Sequence, residues 1–136
     1  MSNKFQISFW MTLALAALPL AAHHSITAEF DTSKSFSVQG TLTKIEWVNP
    51  HSYIYLDSKD DKGAVISYSF EAGPPGNLRR AGVLRTMLNV GDAVTIDAYA
   101  AKDGSKHLGL VRAIHFADGH TIVMGKDSKE IESLNK

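Results

Sequence analysis

Polar and apolar residues alternate along most of this chain, and the alternation is broken by glycine, proline and aspartate. Phe36, Val38, Gly40 and Leu42 keep one phase, which then slips to Ile45 and Trp47. Alternation of this kind marks a half-buried strand, and a slip beside a glycine marks a bulge or sharp bend. Asn49-Pro50 ends the run. Ile54 and Leu56, interleaved with Tyr53 and Tyr55, predict a second strand that closes at Ser58-Lys59-Asp60-Asp61-Lys62-Gly63. Ile66, Tyr68 and Phe70 predict a third. Gly73-Pro74-Pro75-Gly76 then breaks the sheet pattern. Pro75 opens a short helix carrying Leu78 and Ala81, Gly82 ends it, and a second helical turn holds Leu84, Met87 and Leu88. Val94, Ile96 and Ala98 predict a fourth strand after the turn Asn89-Val90-Gly91-Asp92. Past Lys102-Asp103-Gly104-Ser105 comes a fifth, with Leu108, Leu110, Ile114 and Phe116 expected on one face. Asp118-Gly119 signals a two-residue hairpin into Thr121 to Met124.

The expected fold class is therefore all-β with a short helix. The order β-β-β-α-β-β matches an OB-like five-stranded barrel, here with a small C-terminal hairpin. A β-sandwich or a roll fits the same strand order, because pairing is not written in a single sequence. The barrel domain is expected over residues 36–125. An extended arm is expected over 23–35, and a charged tail over 126–136.

Before the arm lies a different composition. Lys4 is followed by an apolar stretch from Ile7 to Leu20 and the small pair Ala21-Ala22, which together read as a secretory signal peptide over residues 1–22. The apolar stretch is short for a membrane span and carries Pro19. A retained amphipathic or membrane anchor is the competing reading. Cleavage after Ala22 makes His23 the first residue of the processed chain, whereas cleavage after Ala21 makes His24 the third. The expected destination is the bacterial periplasm or the exterior, with no stable membrane span once the leader is gone.

Processing leaves about 114 of the 136 residues, the size of one domain. There is no cysteine, so apolar packing must hold that domain without disulfides. Subtracting Lys4 leaves thirteen basic residues against fourteen acidic ones. This balance argues against nucleic acid as a partner, since polyanion binding draws on a basic surface. Cysteine nucleophile, phosphate-binding loop and Gly-x-Ser-x-Gly elbow are all missing, so the expected role is non-enzymatic binding.

Specific chemistry is suggested at the histidines. A terminal His23 offers a divalent metal its α-amine and Nδ1, and one further nitrogen completes a T-shaped set that suits copper. His51, presented by the Asn49-Pro50 turn, is the candidate for that third nitrogen. His24 offers a route through a deprotonated backbone amide, or a square-planar site if it stands third. Against this, paired histidines on an arm are often simply solvated, and a histidine after Asn-Pro is often a turn residue bonded to a carbonyl. His107 and His115 are expected on one strand face, opposite the apolar one, with His120 near His115 across the hairpin. Trp47 is expected in the core.

The alternative to a metal is a small envelope ligand or protein, gripped by Tyr53, Tyr55 and Tyr99 on an outward strand face. Cross-strand packing explains those rings equally well. Arg79 and Arg80, with Arg85 and Lys44, form a candidate anion site or else a solvated helix face, and Glu71 is available to pair with one of them.

His23-His24-Ser25, Glu29-Phe30-Asp31, Gly40-Thr41-Leu42-Thr43-Lys44-Ile45-Glu46-Trp47 and Asn49-Pro50-His51 occur in that order. Leu78-Arg79-Arg80-Ala81-Gly82, Val90-Gly91-Asp92 and Ala101-Lys102-Asp103-Gly104-Ser105 follow them. This series resembles a small exported bacterial family known only as a domain of unknown function. That family usually carries a tryptophan where Val83 stands. The resemblance implies an exported, barrel-like domain and brings no activity with it.

Overall fold

The computed structural model describes residues 26–124. A single turn of helix, α1 (Ile26–Glu29), leads into the long strand β1 (Phe30–Glu46). Then follow β2 (Ser52–Lys59), β3 (Val65–Ala72), α2 (Pro75–Arg80), a 3₁₀ turn (Arg85–Met87), β4 (Ala93–Ala101), β5 (Leu108–Phe116) and β6 (Thr121–Val123). Strand order in the sheet is β3-β2-β1-β4-β5-β6, antiparallel throughout, and β3 also pairs with β5 in parallel. That last pairing closes five strands into a ring. The connectivity is that of the OB fold, with β1 shared between two neighbours and a helix between β3 and β4.

One strand can serve both sides of the ring only if it bends. β1 shifts register between Leu42 and Lys44 against β2, where the sequence phase slips, and again between Asp31 and Ser35 against β4. Gly40 lies where β1 crosses closest to β2. A Cβ there would collide with the Asp57 carbonyl oxygen, so the missing side chain is what lets the strands meet. Pairing of β1 with β4 also begins earlier than the alternation does: Phe30 and Asp31 already face Ala101 and Ala100.

Inside the ring, Val38, Leu42, Ile54, Leu56, Phe70, Ile96, Val111 and Ile114 form one buried cluster. Leu78 of α2 and the following Val83 and Leu88 plug one end. The plug is fixed by its own chain reversal. Gly82 N–H donates to Arg79 O at 3.0 Å and Val83 N–H to Leu78 O at 2.9 Å, with Gly82 at φ +86°. This is a Schellman end, in which glycine tolerates the left-handed position and the residue after it packs back on the helix. Trp47 is half-buried against the core cluster rather than inside it.

In β5 the structure corrects the expected face. Ala98 pairs with Val111 but Asp97 with Ala113, so Arg112 is an extra residue and the phase flips there. Val111 and Ile114 therefore both point inward, whereas Leu108 and Leu110 lie on the outer side. The same bulge separates the two histidines expected to share a face. His107 meets the edge of Tyr68, with ring centroids 5.0 Å apart, and His115 sits outside on β5. The final hairpin is one residue longer than expected: Phe116 N–H bonds His120 O, leaving a three-residue loop with Gly119 at φ +94°.

Gly40→Ala tests the close approach of β1 and β2. Forcing a methyl group against the Asp57 carbonyl is expected to cost about 1–3 kcal/mol, the range for overpacked interiors. It should appear in urea denaturation as a lower midpoint at unchanged slope, and a wild-type midpoint would show that the strands separate freely.

Candidate functional site

The turn between β1 and β2, with a cis Asn49–Pro50 bond, delivers His51 to the start of β2. Antiparallel pairing of β2 with β3 sets Tyr53 opposite Glu71, and Ser52 N–H donates to Gly73 O. His51 thereby comes beside Glu71. Its Nδ1 lies 2.5 Å from Glu71 Oε1, an ion-pair and hydrogen-bond distance, while Nε2 is the ring nitrogen not committed to that contact. Glu71 is 6 % exposed, although the strand alternation puts it on the outer face, opposite to Phe70.

Glu71 borders a cavity that it shares with the segment entering β1. Ala28, Glu29 and Phe30 line an outer cavity of about 510 Å³ together with Glu71, Ala101, Lys102, Asp103 and Leu108. Phe30 is only 2 % exposed yet lies outside the main core cluster, so it anchors the entering segment to the outside of the ring. Lys102 N–H donates to Glu29 O at 2.9 Å and ties the segment to the end of β4. Burial pushes the Glu71 carboxyl above the ordinary glutamate range. The His51 charge opposes that rise and the Glu29 charge adds to it. The Tyr53 hydroxyl is likewise raised, by burial first and then by Glu71, Glu29 and Glu46. The patch is thus half-buried and negatively charged, with one imidazole oriented by a carboxylate.

Other candidates fall elsewhere. His23 and His24 lie outside the described residues. Tyr53 and Tyr55 share the outer face of β2, but the Tyr55 hydroxyl donates to Glu46 Oε2 at 2.8 Å and Lys44, paired with Glu46, sits over its ring. Tyr99 is on β4, two strands away across β1, with Arg112 over it at 6.0 Å. The structure does not gather the three tyrosines. Arg79 and Arg85 line a second pocket beside Trp47, while Arg80 bonds Asn77 Oδ1. Glu71 takes His51 as partner and none of these arginines.

A polar strip absent from the sequence expectations crosses the outside of four strands. Ser37 Oγ donates to Asp97 Oδ1 at 2.5 Å, His115 Nε2 meets Asp97 Oδ2 at 2.8 Å, and His115 Nδ1 meets Thr121 Oγ1 at 2.9 Å. His120 instead bonds Asp118 and stacks on Phe116. His115 and His120 therefore serve separate contacts. Among the described residues, no three His, Cys, Asp or Glu side chains converge as a metal set. Among them, too, no helix is long and apolar enough to cross a membrane.

The strip makes a pH prediction. Burial raises the Asp97 carboxyl, but bonds from Ser37 and His115 and the charges of His115 and Arg112 outweigh it, leaving it below the usual 3.8. A carboxyl depressed by folding stabilises above its unfolded pKa, and that stability is lost as pH falls through the folded value. Asp97→Asn should accordingly destabilise most at pH 5 and above, with the difference from wild type shrinking below about pH 4. Chemical denaturation at stepped pH measures it, and a difference independent of pH would contradict the assignment.

Comparison with known proteins adds membership and nothing about activity. No curated protein matches the chain. No solved structure matches it either. A family model does match, over residues 11–123. That span takes in nearly the whole of the described barrel, and the chain belongs to the family of unknown function DUF6152.

Proposed function

We propose that this is an exported, non-enzymatic binding protein of the bacterial periplasm or exterior that holds a divalent metal, copper above others. The proposed ligands are the Nε2 of His51 and the amine and imidazole of His23, with His24 as the alternative from the same segment. The observation that carries the reading is the contact between His51 Nδ1 and the buried Glu71 carboxylate. Metal-binding histidines are commonly oriented this way, one ring nitrogen donating to a carboxylate so that the other is aimed and made more basic.

Chain geometry supports the same reading. Ala28, Glu29 and Phe30 pack at the cavity that Glu71 lines. His24 and His23 precede Ile26, the first residue of α1, by two and three residues, a reach from there of at most about 7–11 Å at 3.5 Å per residue. The Glu71 carboxylate places an acidic group directly behind the His51 ring. Nitrogen donors with an open geometry favour copper among first-row divalent ions. Export is inferred from the leader at residues 1–22, whose apolar stretch and Ala21-Ala22 junction would yield the free terminal histidine. The tyrosines make contacts within the sheet, which is why the metal reading is preferred to an aromatic gripping face.

The test is copper(II) titration of protein purified from a bacterial envelope, its first residue read by mass spectrometry. We expect a 1:1 complex that weakens at least about tenfold when one alanine is added before His23, and equally for His51→Ala. Glu71→Gln should weaken it about 10- to 100-fold by releasing the ring. A processed chain beginning elsewhere, or an affinity indifferent to both the extension and His51→Ala, overturns the proposal.

A further inference from the structure

The second pocket, about 370 Å³, lies between α2 and the end of β1. The Schellman reversal at Gly82 turns the chain back so that Arg79 on the helix and Arg85 on the 3₁₀ turn both reach it. Trp47 forms another wall, with the Arg85 guanidinium 5.6 Å from its ring centre. Pro75, Val83 and Leu84 make the remainder apolar. Leu84 is 49 % exposed at the rim.

Neither Arg79 nor Arg85 has a carboxylate within ion-pair distance among the described residues, whereas the carboxylates Asp31, Glu46, Glu71, Asp97 and Asp118 all have cationic or histidine partners. Two unneutralised guanidiniums over a largely apolar floor call for a ligand with the opposite arrangement. Both arginines are exposed at the mouth of the pocket, and guanidinium is matched to carboxylate in geometry. The volume lies near the lower end of small-molecule sites. We propose that this pocket binds a small amphipathic carboxylate, its charged end between Arg79 and Arg85 and its apolar body against Trp47 and Val83. The site is separate from His51 and stands whether or not a metal binds there.

Trp47 supplies the readout. The chain has two tryptophans, Trp10 in the proposed leader and Trp47, so the processed chain, or the full chain carrying Trp10→Phe, reports on the pocket alone. Phenylacetate is the probe, 2-phenylethanol its neutral counterpart and inorganic phosphate the bare anion. Phenylacetate is expected to shift Trp47 fluorescence saturably in the millimolar range or below, and at least tenfold more tightly than either control. Arg79→Gln and Arg85→Gln should each weaken it severalfold with the circular-dichroism spectrum unchanged, while Arg80→Gln should have little effect. Equal binding of the alcohol, equal binding of phosphate, no saturable shift with phenylacetate, or arginine variants that bind as wild type would each overturn the assignment.

Discussion

Three residues of parallel pairing, Ser69 to Glu71 on β3 against Leu108 to Leu110 on β5, turn a twisted sheet into a ring. Without that seam both β3 and β5 would present open edges, and the buried cluster around Phe70 and Val111 would face water on one side. Closure imposes two demands elsewhere. β1 must curve enough to serve both neighbours, which Gly40 and two register shifts provide. β5 must change phase at Arg112, so that its first half lines the outside with Leu108 and Leu110 and its second half fills the interior with Ile114.

The seam also creates the candidate metal site. Glu71 and Leu110 are partners across it on the outer face, so an acidic side chain is fixed where the ring is stitched shut. An outer face is ordinarily wet. Here Glu71 is nearly buried beside a cavity that Phe30 also lines, and its carboxylate faces His51. A buried acid costs free energy that one imidazole offsets only in part, which is the sense of its raised pKa. On the proposed reading, a cation on the far side of the histidine would offset the remainder of that cost.

The succession of strands along the chain, the position of the helix and the end of that helix at Gly82 were legible in the sequence, because alternation and glycine or proline punctuation are local signals. The Leu42-to-Ile45 slip was legible for the same reason and is a bulge. The Arg112 bulge was not. Leu108, Leu110, Ile114 and Phe116 keep an even spacing across it, and only the pairing with Ala98 and Asp97 exposes the extra residue. The expectation that His107 shares a face with His115 inherited that error, whereas His115 itself lies on the outer face as expected. His51 could be singled out from Asn49-Pro50, but Glu71 could not be matched to it, since twenty residues and a strand turn separate them and three arginines looked like nearer partners in sequence. Register decides that pairing, and register is set by the whole sheet.

Trp47 illustrates how a side chain can satisfy the core and still be available. Its ring packs against the interior cluster on one side and meets Arg85 on the other. Full burial would have demanded a partner for the indole N–H, and full exposure would have left a large apolar face to solvent. The half-buried position avoids both, and it holds only because α2 and the 3₁₀ turn fold back over the end of β1. The reversal at Gly82 thus links two tasks: Val83 is sent inward to complete the plug, and the chain after it carries Arg85 out over Trp47. Plug and pocket are two sides of one turn, so a substitution that disorders Gly82 would open the barrel end and disperse the arginines together, while changes at Arg79 or Arg85 touch the pocket alone.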